Sequence, residues 1–330
     1  MNAIEMSLSI EQWPLKVPFR ISGYLFARVD TLTVHLKKQG CVGQGEAGGV
    51  YYLNDKPANM LQQLEGIRRT IEAGISRDEL QHLMPPCGAR NALDCALWDL
   101  DSKLTGQAAW QLAGLALPKA LVTTFTCGAE EPETMAACAR GYDNARAIKI
   151  KLTGDPVDAD RVRAVREARR DVWLGVDANQ GFTRASLAEL IPVLVTERVA
   201  LIEQPFPVGE EALLDGFQSP IPIAADESAQ GISGISSLAG RFDVINIKLD
   251  KCGGLTEGLA LARLARELGL DTMVGNMLGT SLAMAPAFLL GQLCQIVDLD
   301  GPALLREDRE HTVRYANGAI ACPERLWGYA

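Results

Sequence analysis

Histidine is scarce in this chain. His35, His82 and His311 are the whole supply in 330 residues, and none of them closes one of the short apolar runs described below. A Ser-His-Asp triad, a histidine base and a histidine-ligated zinc all require imidazole at the site, so these chemistries are disfavoured. No CxxC pair occurs among the eight scattered cysteines, which excludes a zinc knuckle and a dense disulfide framework and leaves reduced, mostly buried thiols. No block of lysine and arginine is present, and the formal charge is −9, so nucleic acid is not an expected partner. Nor is there a run of ~18 apolar residues that would span a membrane. The opening MNAIEMSLSIEQWPLK has no continuous apolar stretch, and the expectation is a cytoplasmic enzyme.

What is present suits a folded α/β protein. Hydrophobic residues are 48% and charged residues 22% of the chain, enough for one large unit and a smaller companion. The first part reads as strand, loop and strand (MSLSIEQWPL, KVPFRISGYLF, ARVDTLTVHLKKQGCVGQGEAG), followed by helices over ANMLQQLEGIRRTIEAG and ARNALDCALWDLDSKLTG. Strands followed by helices predict a separate α+β domain over residues 1–115.

From residue 116 to 302 the rhythm changes. Short apolar runs (LVTTFTC, AIKIKL, VWLGVDA, VALIEQP, IPIAADES, FDVINIKLD, LDTMVGN, QIVDLD) alternate with amphipathic stretches. Polar residues near the run ends recur about every 25 residues, one strand-plus-helix unit with its loops, which predicts a (β/α) barrel. After Pro302, HTVRYANGAIAC reads as short strands that return to the N-terminal domain, completing it with residues 303–330.

A barrel builds its active site from the C-terminal ends of its strands. Asp177, Glu203 and Asp226 end three successive runs, so their carboxylates converge at one mouth. One such acid alone reads as a cap or turn residue. Three in phase repel one another unless a cation sits among them, and an all-oxygen set prefers a hard ion such as Mg²⁺. Asn179 and Glu227 stand beside them as hydrogen-bonding support.

Lys149 and Lys151 end the run before Asp177, and Lys248 ends the run after Asp226. Lysines therefore flank the acids on both sides. A neighbouring cation and a second ammonium both lower a lysine's affinity for its proton. A metal-held carboxylate has an acidified α-proton, because the ion stabilises the enediolate left behind. Removal by Lys151 and return by Lys248 on the other face inverts the centre. The same pair also supports cycloisomerisation or elimination, so the residues give the partial reaction and not the product.

The set KIK at 149–151, VDAN at 176–179, IEQP at 202–205, ADES at 225–228 and NIKLDKCGG at 246–254 resembles the enolase superfamily, in its muconate lactonizing enzyme-like subgroup. The resemblance implies an α/β fold, a modified (β/α)7β TIM-type barrel under an N-terminal α+β capping domain. It implies Mg²⁺ on Asp177, Glu203 and Asp226, acid/base catalysis by Lys151 and Lys248, and Lys149 on the substrate carboxylate. The pair Asp298 and Asp300 in QIVDLDGP resembles that of the dipeptide epimerases, where it binds the free α-ammonium of a dipeptide. Thr126 matches a position that contacts substrate. The implied reaction is epimerisation at the C-terminal residue of a dipeptide. N-acylamino acid racemase, o-succinylbenzoate synthase, a Schiff-base aldolase and a non-catalytic metal-binding barrel are the competing readings. A small molecule is the expected partner, without nucleic acid or membrane, and a homo-oligomer is compatible with it. In the family, preference for glutamate goes with an arginine on the N-terminal loop. Here that loop, VPFRISGYLFARV, is shorter, with Arg20 and Arg28 at its flanks and Tyr24 near the middle. Gly279 stands where many subgroup members carry a glutamate.

Overall fold

The computed structural model describes residues 3–21 and 23–329; Met1, Asn2 and Ala330, which the expected domain limits include, lie outside the described residues, as does Ser22. The N-terminal part begins with an antiparallel sheet of β1 (Glu5–Ile21), β2 (Tyr24–Lys38) and β3 (Cys41–Ala47). The stretch read as a loop is the tip of a long hairpin instead. Pairing resumes beyond Pro14 with Phe19 opposite Phe26, after a register shift. Proline has no N–H for the ladder, and Pro14 and Pro18 confine the irregularity to that interval.

Four helices cover the sheet: α1 (Pro57–Gly66), α2 (Arg68–Gly74), α3 (Arg77–Leu83) and α4 (Gly88–Thr105). The single helix expected over residues 58–74 is broken at Ile67, just after Gly66, a weak helix former. Helix α4 lies directly on β3, and glycine makes the approach feasible. A Cβ on Gly45 would stand 2.2 Å from the carbonyl oxygen of Ala92.

Helix α5 (Ala109–Leu112) leads to the short β4 (Leu121–Val122) and into the barrel. Its strands are β5 (Thr124–Cys127), β6 (Ala147–Lys151), β7 (Trp173–Asp177), β8 (Leu201–Glu203), β9 (Ile223–Ala225), β10 (Val244–Ile247), β11 (Asp271–Val274) and β12 (Ile296–Val297). All neighbours are parallel, in sequence order. Strands buried on both faces carry continuous apolar runs rather than alternation, which is why the sequence shows them so plainly.

Helices α6 (Pro132–Gly141), α7 (Asp158–Ala168) and α8 (Arg184–Thr196) follow the first three barrel strands. After β8 and β9 the chain makes only 3-10 turns, over Glu211–Leu214 and Ile232–Ser237. Helices α9 (Leu249–Cys252) and α10 (Leu255–Glu267) then separate β10 from β11, and α11 (Ser281–Gly291) separates β11 from β12. This is the expected (β/α)7β arrangement under an N-terminal cap.

No backbone ladder joins β12 to β5 among the described residues. Side chains bridge that seam: the Leu299 amide donates to Thr123 Oγ1 at 2.9 Å, Thr124 Oγ1 donates to Asp298, and the Thr126 amide donates to Asp300 Oδ2 at 2.6 Å. Leu201, Ala224, Val244 and Met273 form an apolar cluster among the barrel strands, and none of them is the last residue of its strand. The charged residues gather at the opposite, C-terminal end.

After α12 (Gly301–Leu304), β13 (Arg314–Ala316) and β14 (Ala319–Ala321) form a hairpin that pairs with β4 rather than with the N-terminal sheet. The short β4 offers it an edge at the entry to the barrel. The flanking chain does reach the N-terminal part: Arg309 bonds Glu11 and Glu46, and Trp327 Nε1 donates to the Gln44 carbonyl at 3.0 Å. Among the described residues no helix is long and apolar enough to cross a membrane.

Candidate active site

Parallel register aligns the strand ends. Thr126 lies opposite Lys149, Lys151 opposite Asp177, and Asp177 opposite Glu203, so one step around the barrel carries each functional side chain to the next. Asp177, Glu203 and Asp226 are all buried, each with an oxygen within 4.8 Å of the others. Such a group can hold a metal ion.

The lysines surround this triad. Lys151 Nζ donates to Asp177 Oδ2 at 2.5 Å and Lys248 Nζ to Asp226 Oδ2 at 2.6 Å, so the two ammonium groups bound it from its two flanks. Lys149 Nζ lies 3.1 Å from Glu203 Oε2 and 3.7 Å from Asp177 Oδ2, and it also bonds Asp298. A Cβ on Gly275 would come within 2.9 Å of Lys248 Cε, so glycine there leaves room for the lysine.

Electrostatics follow from burial and sign. Burial first, and then the charge of Asp177, push the Glu203 carboxyl up to about 8. Burial together with Asp226 and Asp177 pushes Glu227 up to about 7. Burial also acts to raise Asp226, but Lys248 and Lys251 outweigh it and hold this carboxyl far below the usual range. Burial alone would strip the proton from Lys149 and Lys248; the acids around them prevail, Asp298 and Glu203 for the first, Asp226 and Glu203 for the second, and hold both well above an ordinary lysine. That sign is opposite to what a neighbouring ammonium alone dictates, because each lysine faces more negative than positive charge.

The triad fits a divalent cation on this chemistry. Three buried carboxylates meet, one of them is forced towards its neutral form by burial and by its neighbours' charge, and buried oxygens nearby (Glu227 Oε2, Asn179 Oδ1, Asn246 Oδ1) have no hydrogen-bond partner in the protein. Asn179 and Glu227 bond each other at 3.3 Å, and the Asn179 amide donates to Asp177 Oδ1 at 2.9 Å.

Across the cleft, Asp298 and Asp300 both line the cavity with Thr126. The two acids differ in circumstance. Asp298 is engaged by Lys149 and Thr124, whereas burial and then Asp298's charge push Asp300 up to about 6. Thr126 contributes its backbone N–H to Asp300.

Three residues escaped sequence reasoning. Lys251, fully buried, donates to Asp226 Oδ1 at 2.6 Å and to the Asn246 carbonyl at 3.1 Å. Asn246 Nδ2 donates to Glu203 Oε1 at 2.7 Å, and Gln204 Oε1 accepts the Asp226 amide at 2.9 Å. Asn246 was within reach of the alternation rule, two residues before Lys248 and hence on the same face. Lys251 needed the one-turn helix α9 after the strand, which no apolar period announces. Glu46 of the cap reaches towards Gly279: a Cβ there would lie 3.3 Å from Glu46 Oε1.

The cavity, about 740 Å³ with its open mouth, lies between the barrel end and the hairpin tip, where Phe19, Ile21, Phe26 and Tyr51 overhang the lysines. Comparison with known proteins agrees with this geometry. Residues 133–328 match the family model described as enolase C-terminal domain-like, and residues 3–114 match the mandelate racemase/muconate lactonizing enzyme N-terminal domain. The chain is 38% identical to an L-Ala-D/L-Glu epimerase of Escherichia coli over 94% of this chain and 97% of that one. It is 39% identical to an N-acetyl-D-glutamate racemase of a Pseudoalteromonas species, over 79% and 83%. An enolase family member from Agrobacterium tumefaciens, with homology to dipeptide epimerases and solved with sodium and L-Ala-L-Glu, superposes with a TM-score of 0.96 at 37% identity, over 98% and 100%. A dipeptide epimerase from Methylococcus capsulatus, complexed with Mg and L-Arg-D-Lys, superposes with a TM-score of 0.91 at 30% identity, over 99% of both chains. The chain belongs to the mandelate racemase/muconate lactonizing enzyme family of the enolase superfamily.

Proposed function

We propose that this chain is an isomerase, a Mg²⁺-dependent dipeptide epimerase that inverts the α-carbon of the C-terminal residue. The observation that carries the reading is the pair of buried lysines, Lys151 and Lys248, on the two flanks of a triad of carboxylates. Asp177, Glu203 and Asp226 would hold the ion. Held there, it would supply the Lewis acidity that makes the C–H beside a substrate carboxylate more acidic.

Lys149 lines the same cleft and steadies that carboxylate. Lys151 in its amine form takes the α-proton on one face, and the ammonium of Lys248 delivers one to the other; the reverse direction exchanges the roles. One lysine is thus neutral and one charged at each step. Asp300, with Thr126 fixing it and Asp298 behind it, receives the free α-ammonium of the dipeptide. Residues 1–115 serve as the cap and 116–302 as the catalytic barrel, with 303–330 joined to both, its hairpin to β4 and the chain around the hairpin to the cap. The eight cysteines are all free, which suits a reducing, cytoplasmic setting.

The relative named as an N-acetyl-D-glutamate racemase makes N-acylated amino acids the competing substrates. An acylated nitrogen carries no charge for Asp300, and burying that acid opposite a neutral group goes uncompensated. The test is α-deuterium incorporation. Dipeptides incubated in D2O with protein and Mg²⁺ are expected to gain one mass unit, to stop doing so with a chelator, and to recover on adding Mg²⁺. Asp300→Asn is expected to slow the free dipeptides and spare their N-acetyl counterparts. Absence of exchange from every dipeptide, with Mg²⁺ present, refutes the function.

A further inference from the structure

We infer that the side chain of the residue being epimerised is apolar, leucine-like or aromatic, and not the carboxylate side chain that two of the relatives act on. The inference rests on the dipeptide-epimerase reading and concerns the part of the cleft left over once the lysines, the triad and Asp300 have been assigned.

The hairpin register decides which side chains can enter. Phe19 pairs with Phe26 and Ile21 with Tyr24, so these four share one face, while Arg20 pairs with Leu25 on the other. Phe19, Ile21 and Phe26 line the cavity, and Tyr24 stacks on Phe26 and meets Tyr51 edge-on at 4.5 Å. The barrel closes the same space with Met277, Leu278 and Leu304.

Neither flanking arginine reaches this space. Arg20 is half-exposed and paired with Glu130 at 3.3 Å, and Arg28 is more exposed still and paired with Asp30 at 3.0 Å. Among the described residues that line the cavity, the cations are Lys149, Lys151 and Lys248, and each is already paired with acids at the reaction centre. A glutamate side chain placed among phenylalanine, isoleucine and leucine would lose its hydration with no cation to receive it. An apolar side chain there is removed from water at no such cost.

The experiment compares kcat/KM for α-deuterium exchange of L-Ala-L-Leu, L-Ala-L-Phe, L-Ala-L-Glu and L-Ala-L-Lys with the Mg²⁺-loaded enzyme. The leucyl or phenylalanyl dipeptide is expected to lead the glutamyl and lysyl ones by about tenfold or more. A glutamyl or lysyl dipeptide that equals or exceeds both overturns the inference and leaves the epimerase reading standing. Exchange from none of the four, nor from any other dipeptide, brings down both. Phe26→Arg puts a cation on the cavity face and is expected to shift the Glu-to-Leu ratio towards Glu by about tenfold; an unchanged ratio in folded protein contradicts the assignment. Should that variant fail to fold, Phe26→Ala reads the same contact, with an expected fall in kcat/KM for the phenylalanyl dipeptide and little change for the glutamyl one, and the opposite pattern refutes it.

Discussion

Arg90 offers the sharpest test of how the cap is held to the catalytic end of the barrel. Its guanidinium, 2% exposed, leaves α4 of the cap and enters the turn that follows Lys248. It donates to the carbonyls of Cys252 at 2.6 Å, Gly253 at 3.1 Å and Met84 at 3.0 Å, and it pairs with Glu257 of α10. Gly253 allows the approach; it has positive φ, and a Cβ on it would lie 2.4 Å from Arg90 Nε. Replacing Arg90 with Met keeps the apolar volume and strands Glu257, itself 9% exposed, without its cation. Breaking a buried pair from one side costs about 3–5 kcal/mol. In a chain this long that corresponds to a fall in Tm of roughly 4–7 °C. Urea unfolding of Arg90→Met, Glu257→Gln and the double variant measures it. The single arginine variant is expected to lose that amount and the double to lose less than the sum, with a coupling of about 1–3 kcal/mol. A loss under about 1 kcal/mol, the size of a surface ion pair, refutes the account. Epimerisation by the folded variant should fall as well, because the turn that carries Lys248 loses its clamp.

Two further outcomes are expected. Lys151→Ala and Lys248→Ala each lose epimerisation by about a hundredfold or more, yet each should keep α-deuterium exchange with only one of the two epimers; wild-type epimerisation in either contradicts the two-base mechanism. Asp94, fully buried in α4 and bonded to Thr256, is pushed up to about 6 by its burial. The folded chain therefore holds this proton more tightly than the unfolded one, and its contribution to stability is complete below about pH 4 and lost as pH rises through about 6, some 3 kcal/mol in all. Urea midpoints measured between pH 4 and 7 should show that decline on top of the same-signed shares of Asp300, Glu227 and Glu203, and Asp94→Asn should make the slope shallower by Asp94's share; an equal slope in the variant refutes the assignment.

Sequence made the barrel legible because its strands are short and covered on both sides. Each appears as a bare apolar run, and the first polar residue after it marks the mouth. Asp177, Glu203, Asp226 and the three lysines were found in this way. What was not legible depended on contacts between segments far apart. The hairpin tip looked like a loop, since its prolines obscure the pairing of Phe19 with Phe26. Lys251 has no signature in the sequence, because only the one-turn helix α9 brings it to Asp226. Sequence places Arg20 and Arg28 at the flanks of the tip without telling which way they face, and strand register shows that Arg20 faces away from the cavity.

The seam between β12 and β5 makes one end of the active site do two jobs. Thr124, Thr126, Asp298 and Asp300 join β12 to β5 where no backbone ladder does among the described residues, and Thr126, Asp298 and Asp300 also line the part of the cleft proposed to receive the substrate's nitrogen. A change there alters the latch and the recognition together, so variants at these positions start with a handicap in folding. The side chains of Phe19, Ile21 and Phe26 at the hairpin tip take no part in that latch, and new substrate preferences can be tried at them without reopening the barrel. Evolution and protein engineering should therefore both find the hairpin side chains the easier ones to change.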